Sequence, residues 1–128
     1  MKGVNQMEQE TATLSEDMIF TRTSGFPKRS ILAFLAAANG GTTVYVGDRE
    51  YTIDITPERL LEELGGSMFY AKVTDQSRAY WIRRHSAYDV EVNSLLREVS
   101  IWLLGRRTPI WLEQVEVDTI YRQLGWIT

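Results

Sequence analysis

The sequence has no cysteine and a single histidine, His85. The first absence excludes disulfides, thiolate nucleophiles and cysteine-held metals. The second excludes zinc or iron sites built from several histidines of one chain. Long apolar runs are missing too. The longest, Ile31 to Ala38, has eight residues, against the ~20 that a bilayer span requires. The first residues are polar, with Glu8, Glu10, Glu16 and Asp17, and lack the charged-then-apolar order of a signal peptide. Lysine is absent after residue 72, where the remaining basic side chains are all arginine. No cofactor and no membrane association are expected, and the expected location is the cytoplasm (or a virion, were the chain phage-encoded).

What is present is ordinary globular material: 128 residues, 44% hydrophobic and 24% charged. That length suits one domain. Its sequence pI is about 5.2, which disfavours a dedicated nucleic-acid binder, because phosphate neutralisation supplies most of such affinity. The net charge of −3 hides an asymmetry, since residues 1–75 sum to −4 and residues 76–128 to +1.

Pattern predicts an α+β fold. Residues 1–25 are expected as a polar N-terminal tail and residues 26–128 as a single α+β domain. Pro27 to Asn39, with Ile31, Leu32, Phe34, Leu35 and Ala38, predicts a helix that starts on proline and stops at Gly40-Gly41. Thr43–Val46 and Arg49–Ile55 predict a hairpin over Gly47-Asp48. Thr56-Pro57 opens a second helix, and Met68–Thr74 with Arg78–Arg84 predicts a second hairpin over Asp75–Ser77. The two halves echo each other, the return strands sharing Arg-x-Tyr-x-Ile. The expected architecture is therefore a helix–hairpin unit repeated twice (α-β-β-α-β-β) in one four-stranded antiparallel sheet. C-terminal helices follow: Tyr88, Val92, Leu95, Leu96, Val99, Trp102 and Leu103 fall on a helical stripe, while Tyr88, Val90 and Val92 also alternate as a strand would, a reading that starts the helix only at Asn93. Val117 to Leu124 predicts a short terminal helix.

Catalytic sets are scarce. His85 stands beside Ser86 and near Asp89 without any nucleophile-elbow pattern. Asp48, Glu50, Asp54 and Asp75 are scattered through hairpins rather than gathered as metal ligands. No enzymatic activity is expected. The strongest binding signal is Arg78 to His85, in which Arg78, Tyr80 and Arg84 share one strand face and Arg83 and His85 the other. Arginine beside aromatics marks protein hot spots and also base-stacking surfaces. Trp102, Arg106, Arg107 and Trp126 extend the signal into the C-terminal part, where all four tryptophans lie.

Three short segments carry resemblances. Leu32 to Gly40 resembles the LAGLIDADG helix of homing endonucleases, with Asn39 at that family's catalytic aspartate. Ala33-Phe34, Gly40-Gly41-Thr42 and Gly47, with Tyr80–Arg83 and Ser86, are similar to the divergent Schlafen-type AlbA domain. Phe34-Leu35 with Asn39-Gly40-Gly41 resembles the start of an immunity-protein superfamily. Each spans a small part of the chain, and no site residue is carried over. The leading expectation is a non-catalytic protein-interaction subunit or adaptor, of a phage or other bacterial assembly. A protein partner leads, self-association stays open and nucleic acid ranks lower. The alternatives are a nucleic-acid-binding module related to nucleases, and an inhibitor or immunity protein acting by surface contact.

Overall fold

In the computed structural model, which describes residues 9–127, the chain is built mainly of strands. Strands β1 (Thr13–Leu14), β2 (Met18–Phe20) and β3 (Gly25–Pro27) form a small N-terminal sheet. Five strands form the central sheet: β4 (Ile31–Ala36), β5 (Thr42–Val46), β6 (Arg49–Ile53), β7 (Tyr70–Thr74) and β8 (Ala79–Arg83). Their spatial order is β6-β5-β4-β8-β7, with every neighbouring pair antiparallel. Helix α1 (Pro57–Glu63) joins β6 to β7. Strands β9 (Ala87–Asn93), β10 (Glu98–Leu103) and β11 (Ile110–Glu113) form a C-terminal sheet, and α2 (Val117–Leu124) closes the described chain.

The central sheet is apolar on both faces. Phe34, Val44, Ile53 and Tyr70 pack with Ile19 and Phe26 of the N-terminal sheet and Leu60 of α1. Leu32, Ala33, Val73 and Ile82 pack with Val99, Ile101 and Leu112 of the C-terminal sheet and Ile120 of α2. The result is three layers with two cores, one on either side of the central strands.

This overturns the expected α+β repeat. The run from Ile31 is strand β4, not a helix. A strand buried on both faces reads as a continuous apolar run, so it shows no period of two; a shift of register between Ile31 and Ala33 blurs the pattern further. The stripe from Tyr88 to Leu103 is the β9–β10 hairpin. Val99, Ile101 and Leu103 alternate inward, while Leu95 and Leu96 of the supposed stripe stand exposed in the connecting turn. Arg97, at φ 54°, ends that turn. Of the C-terminal helices only α2 is present, and no repeated helix–hairpin unit remains. The hairpins over Gly47-Asp48 and Asp75–Ser77 are both formed, but in a five-stranded sheet. Helix α1 starts as its sequence dictates, the Thr56 hydroxyl accepting the Arg59 N–H at 3.3 Å. The segment expected as a tail contributes residues 13–25 to the N-terminal sheet, with Ile19 fully buried. Residues 1–8 lie outside the described residues.

Two expected outcomes follow from the packing. A Cβ at Gly41 would run into the main-chain carbonyl of Ile53. Gly41→Ala therefore forces β5 and β6 to shift, and about 1–3 kcal/mol of stability should be lost in urea unfolding. The buried Tyr70 hydroxyl donates to the Ile31 carbonyl at 2.7 Å. Burial pushes its phenol up to about 12, against the opposing pull of Arg83. The folded state thus holds the proton more tightly than the unfolded chain, whose phenol titrates near 10. Stability is complete below pH 10 and falls as pH rises toward 12. Urea midpoints measured across that window should drop steeply, and Tyr70→Phe should flatten the drop.

Candidate functional site

Strand direction sorts the loops into two ends. β4, β6 and β7 run one way, β5 and β8 the other. The 3-10 turn Lys28–Ser30, the Gly47-Asp48 turn and the 3-10 turn Arg84–Ser86 therefore lie at one end. The β10–β11 loop reaches the same end. There the Arg106 guanidinium donates to the Gly47 carbonyl at 2.9 Å, and the Arg107 N–H to the Asp48 carboxylate at 2.8 Å. The Leu104 N–H donates to the Ser86 carbonyl at 2.8 Å.

Lys28, Arg29, Arg49, Arg83, Arg84, His85, Arg106 and Arg107 gather at this end. Carboxylates are present too: Glu63 pairs with Lys28 at 3.0 Å and Asp48 with Arg107 at 3.3 Å. Among the described residues, Arg29, Arg49, Arg83, Arg84 and Arg106 form no ion pair. Arg83 donates to the Arg29 carbonyl. Arg84 donates to the carbonyls of Ser67 and Leu124, both at 3.1 Å. Arg106 lies over the Tyr45 ring, 4.6 Å from its centroid. Main-chain carbonyls, and for Arg106 the Tyr45 ring, fix the guanidinium groups of Arg83, Arg84 and Arg106 without neutralising them, leaving a positive field at the loop ends. Arg29, Arg83 and Lys28 also border a cavity of about 310 Å³, floored by Phe69 and Tyr70 and faced by Glu16, Asp17 and Glu63.

The opposite end carries the contrary charge. Asp54, Asp75, Glu113 and Glu116 lie there beside Arg78 and Arg97, and Arg97 is paired with Glu116 at 3.1 Å. Burial works against ionisation of Asp75, but the N–H groups of Glu113, Ser77 and Arg78 outweigh it and hold this carboxyl below its usual range. It stays charged and pins the two loops together.

The residues singled out by sequence divide accordingly. Arg83, Arg84, His85, Arg106 and Arg107 come together at the basic end. Trp126 joins them, 42% exposed and stacked on Tyr121 beside the Arg84 contact with Leu124. Arg78 sits at the far end, its guanidinium donating to the Tyr80 hydroxyl at 3.0 Å, and Tyr80 itself is in the core. Trp102 lies on the outer face of the C-terminal sheet, donating to the Glu91 carboxylate at 2.6 Å. Lys28, Arg29 and Arg49 were missed. Arg49 follows a turn that was recognised, so its place at the loop end was readable; Lys28 and Arg29 were hidden by the false helix.

No family model matches the chain, and no curated protein matches it. A solved structure that it resembles is the LytTr DNA-binding domain of a methyl-accepting/DNA response regulator from Bacillus cereus. The TM-score is 0.54 at 11% identity, over 92% of this chain and 98% of that one. At that identity the likeness is one of fold. It corrects the expectation of a protein-interaction adaptor: this structure of similar fold is described as a DNA-binding domain, and nothing in its description points to a phage assembly. Among the described residues, no helix is long and apolar enough to cross a membrane.

Proposed function

We propose that the chain is a DNA-binding domain that grips the phosphate backbone with its basic loop end, and that it binds without catalysing a reaction on the nucleic acid. Nucleic acid thereby moves ahead of protein as the partner. The observation that carries this is the set of five arginines at one end, none of them paired with a carboxylate among the described residues. The fold shared with a DNA-binding domain supports it.

The geometry suits phosphate. Arginine presents a planar donor fork that meets phosphate oxygens in pairs. Arg83, Arg84 and Arg106 are already held by carbonyl acceptors, so little side-chain entropy is lost when a phosphate takes their remaining donors. The overall net charge of −3 does not oppose this; the acidic far end turns the basic end toward the polyanion as the two approach.

Fluorescence anisotropy with a labelled duplex tests the proposal. With about six phosphates neutralised, one by each of the five unpaired arginines and one by Arg107 in exchange for Asp48, log K should fall with log salt at a slope near −5 to −6 between about 50 and about 200 mM. Absence of binding at the lower salt, or binding indifferent to salt, would overturn it.

A further inference from the structure

A sheet edge is a row of unpaired main-chain donors and acceptors, and folded proteins protect such rows. Most edges of this molecule are protected. β1 has two residues, and β3 ends in Pro27. β6 is covered by Glu10, whose N–H donates to the Thr52 carbonyl at 2.8 Å. At β7 the Gln123 side chain accepts the Thr74 N–H at 3.1 Å. The four-residue β11 has its Glu113 N–H held by Asp75 at 2.9 Å.

β9 differs. It is seven residues long, pairs only with β10, and contains neither proline nor lysine. Among the described residues, no other segment meets its outer side; the Val90 N–H is held at 2.9 Å by the neighbouring Asp89 carboxylate, a contact within the strand that an incoming carbonyl would displace. Its side chains alternate. Asp89 and Glu91 project on the outer face, as their partners Trp102 and Ser100 do, whereas Val90 and Val92 project toward the core side. Val92 nevertheless remains 46% exposed, because no strand lies beyond it.

We propose that this edge receives an extended polypeptide segment in which lysine or arginine alternates with aliphatic residues, adding a fourth strand to the C-terminal sheet. Main-chain hydrogen bonds would supply adhesion and the alternate side chains selectivity. Cationic residues would fall opposite Asp89 and Glu91, and aliphatic ones against Val90 and Val92. A second copy of this chain is disfavoured. Two antiparallel β9 strands would set Asp89 and Glu91 of one against those of the other, and like charges directly opposite repel. The inference stands on the sheet edge alone and does not depend on the DNA-binding proposal.

The test uses the full chain and a labelled synthetic peptide of about eight residues, alternating lysine and valine. Its affinity should exceed by about tenfold that of a block peptide of equal composition, four lysines then four valines. Val90→Pro deletes the edge donor at a site where proline is tolerated, and should weaken the alternating peptide by about tenfold. Equal binding of the block peptide, or undiminished binding by a folded Val90→Pro chain, would overturn the proposal. So would dimers of the unmodified chain that Val90→Pro dissolves. Should Val90→Pro fail to fold, amide exchange decides on the wild-type chain: slowed Val90 and Val92 amides on adding peptide are expected, and unchanged rates would overturn the proposal.

Discussion

Replacing Arg29, Arg49 and Arg107 together by alanine is expected to lower duplex-DNA affinity by between about a hundredfold and a thousandfold near 0.1 M salt. Each phosphate contact contributes about 0.9 to the slope of log K against log salt, so three lost contacts remove nearly three decades at that concentration. The slope itself should shrink by about 3. These three side chains are chosen because all are exposed and none holds the fold. Arg29 contributes its carbonyl to Arg83, which alanine retains. Arg107 pairs with Asp48, but its side chain is 91% exposed; such a pair is worth at most about 1 kcal/mol, and a phosphate can replace the carboxylate. Melting temperatures should therefore move little. Arg84→Ala makes the useful contrast, because it frees the Ser67 and Leu124 carbonyls and should lower stability as well as affinity.

The second large effect is on folding. Phe34→Ala should cost about 3–5 kcal/mol in urea unfolding, a large share of the 5–15 kcal/mol typical of a domain. Its melting temperature should fall by about 10 °C or more. Phe34 is fully buried at the middle of the central sheet. Its ring stacks on Trp81 with centroids 5.4 Å apart and planes 4° from parallel, and tilts against Tyr70 at 5.4 Å. Alanine removes both ring contacts and leaves a void between the central sheet and the N-terminal layer. Leu35, the next residue, is only half-buried, and Leu35→Ala should cost less than half as much. Had Pro27–Asn39 been a helix with both residues on its apolar face, the two costs would match.

How much could be read beforehand follows from where each segment lies. The Gly47-Asp48 and Asp75–Ser77 turns were legible because turn chemistry is local: Gly47 sits at φ 61°, and the Asp75 carboxylate accepts the N–H groups of Ser77 and Arg78. Helix α1 was legible for the same reason, through Thr56 and Pro57. β4 was not, because alternation disappears when both faces of a strand are covered, and Gly40-Gly41 then imitates a helix stop. The β9–β10 hairpin lacks a glycine turn; Arg97 takes the left-handed conformation itself, so the strand-like alternation of Tyr88, Val90 and Val92 had no turn signal beside it to outweigh the false helical stripe. Arg83–His85 and Arg106-Arg107 were legible as an arginine signal. Their union with Arg29 and Arg49 was not, since it depends on strand direction and on the β10–β11 loop reaching Gly47 and Asp48.

The central claim is that the basic loop end, and not the acidic one, faces DNA. The most direct measurement is amide chemical-shift mapping of the full chain during titration with duplex. Shifts should concentrate in residues 28–30, 47–49, 84–86 and 104–109, while residues 37–41, 54–56, 75–78 and 113–116 stay in place. Shifts confined to the second group, with the first unmoved, would contradict the account.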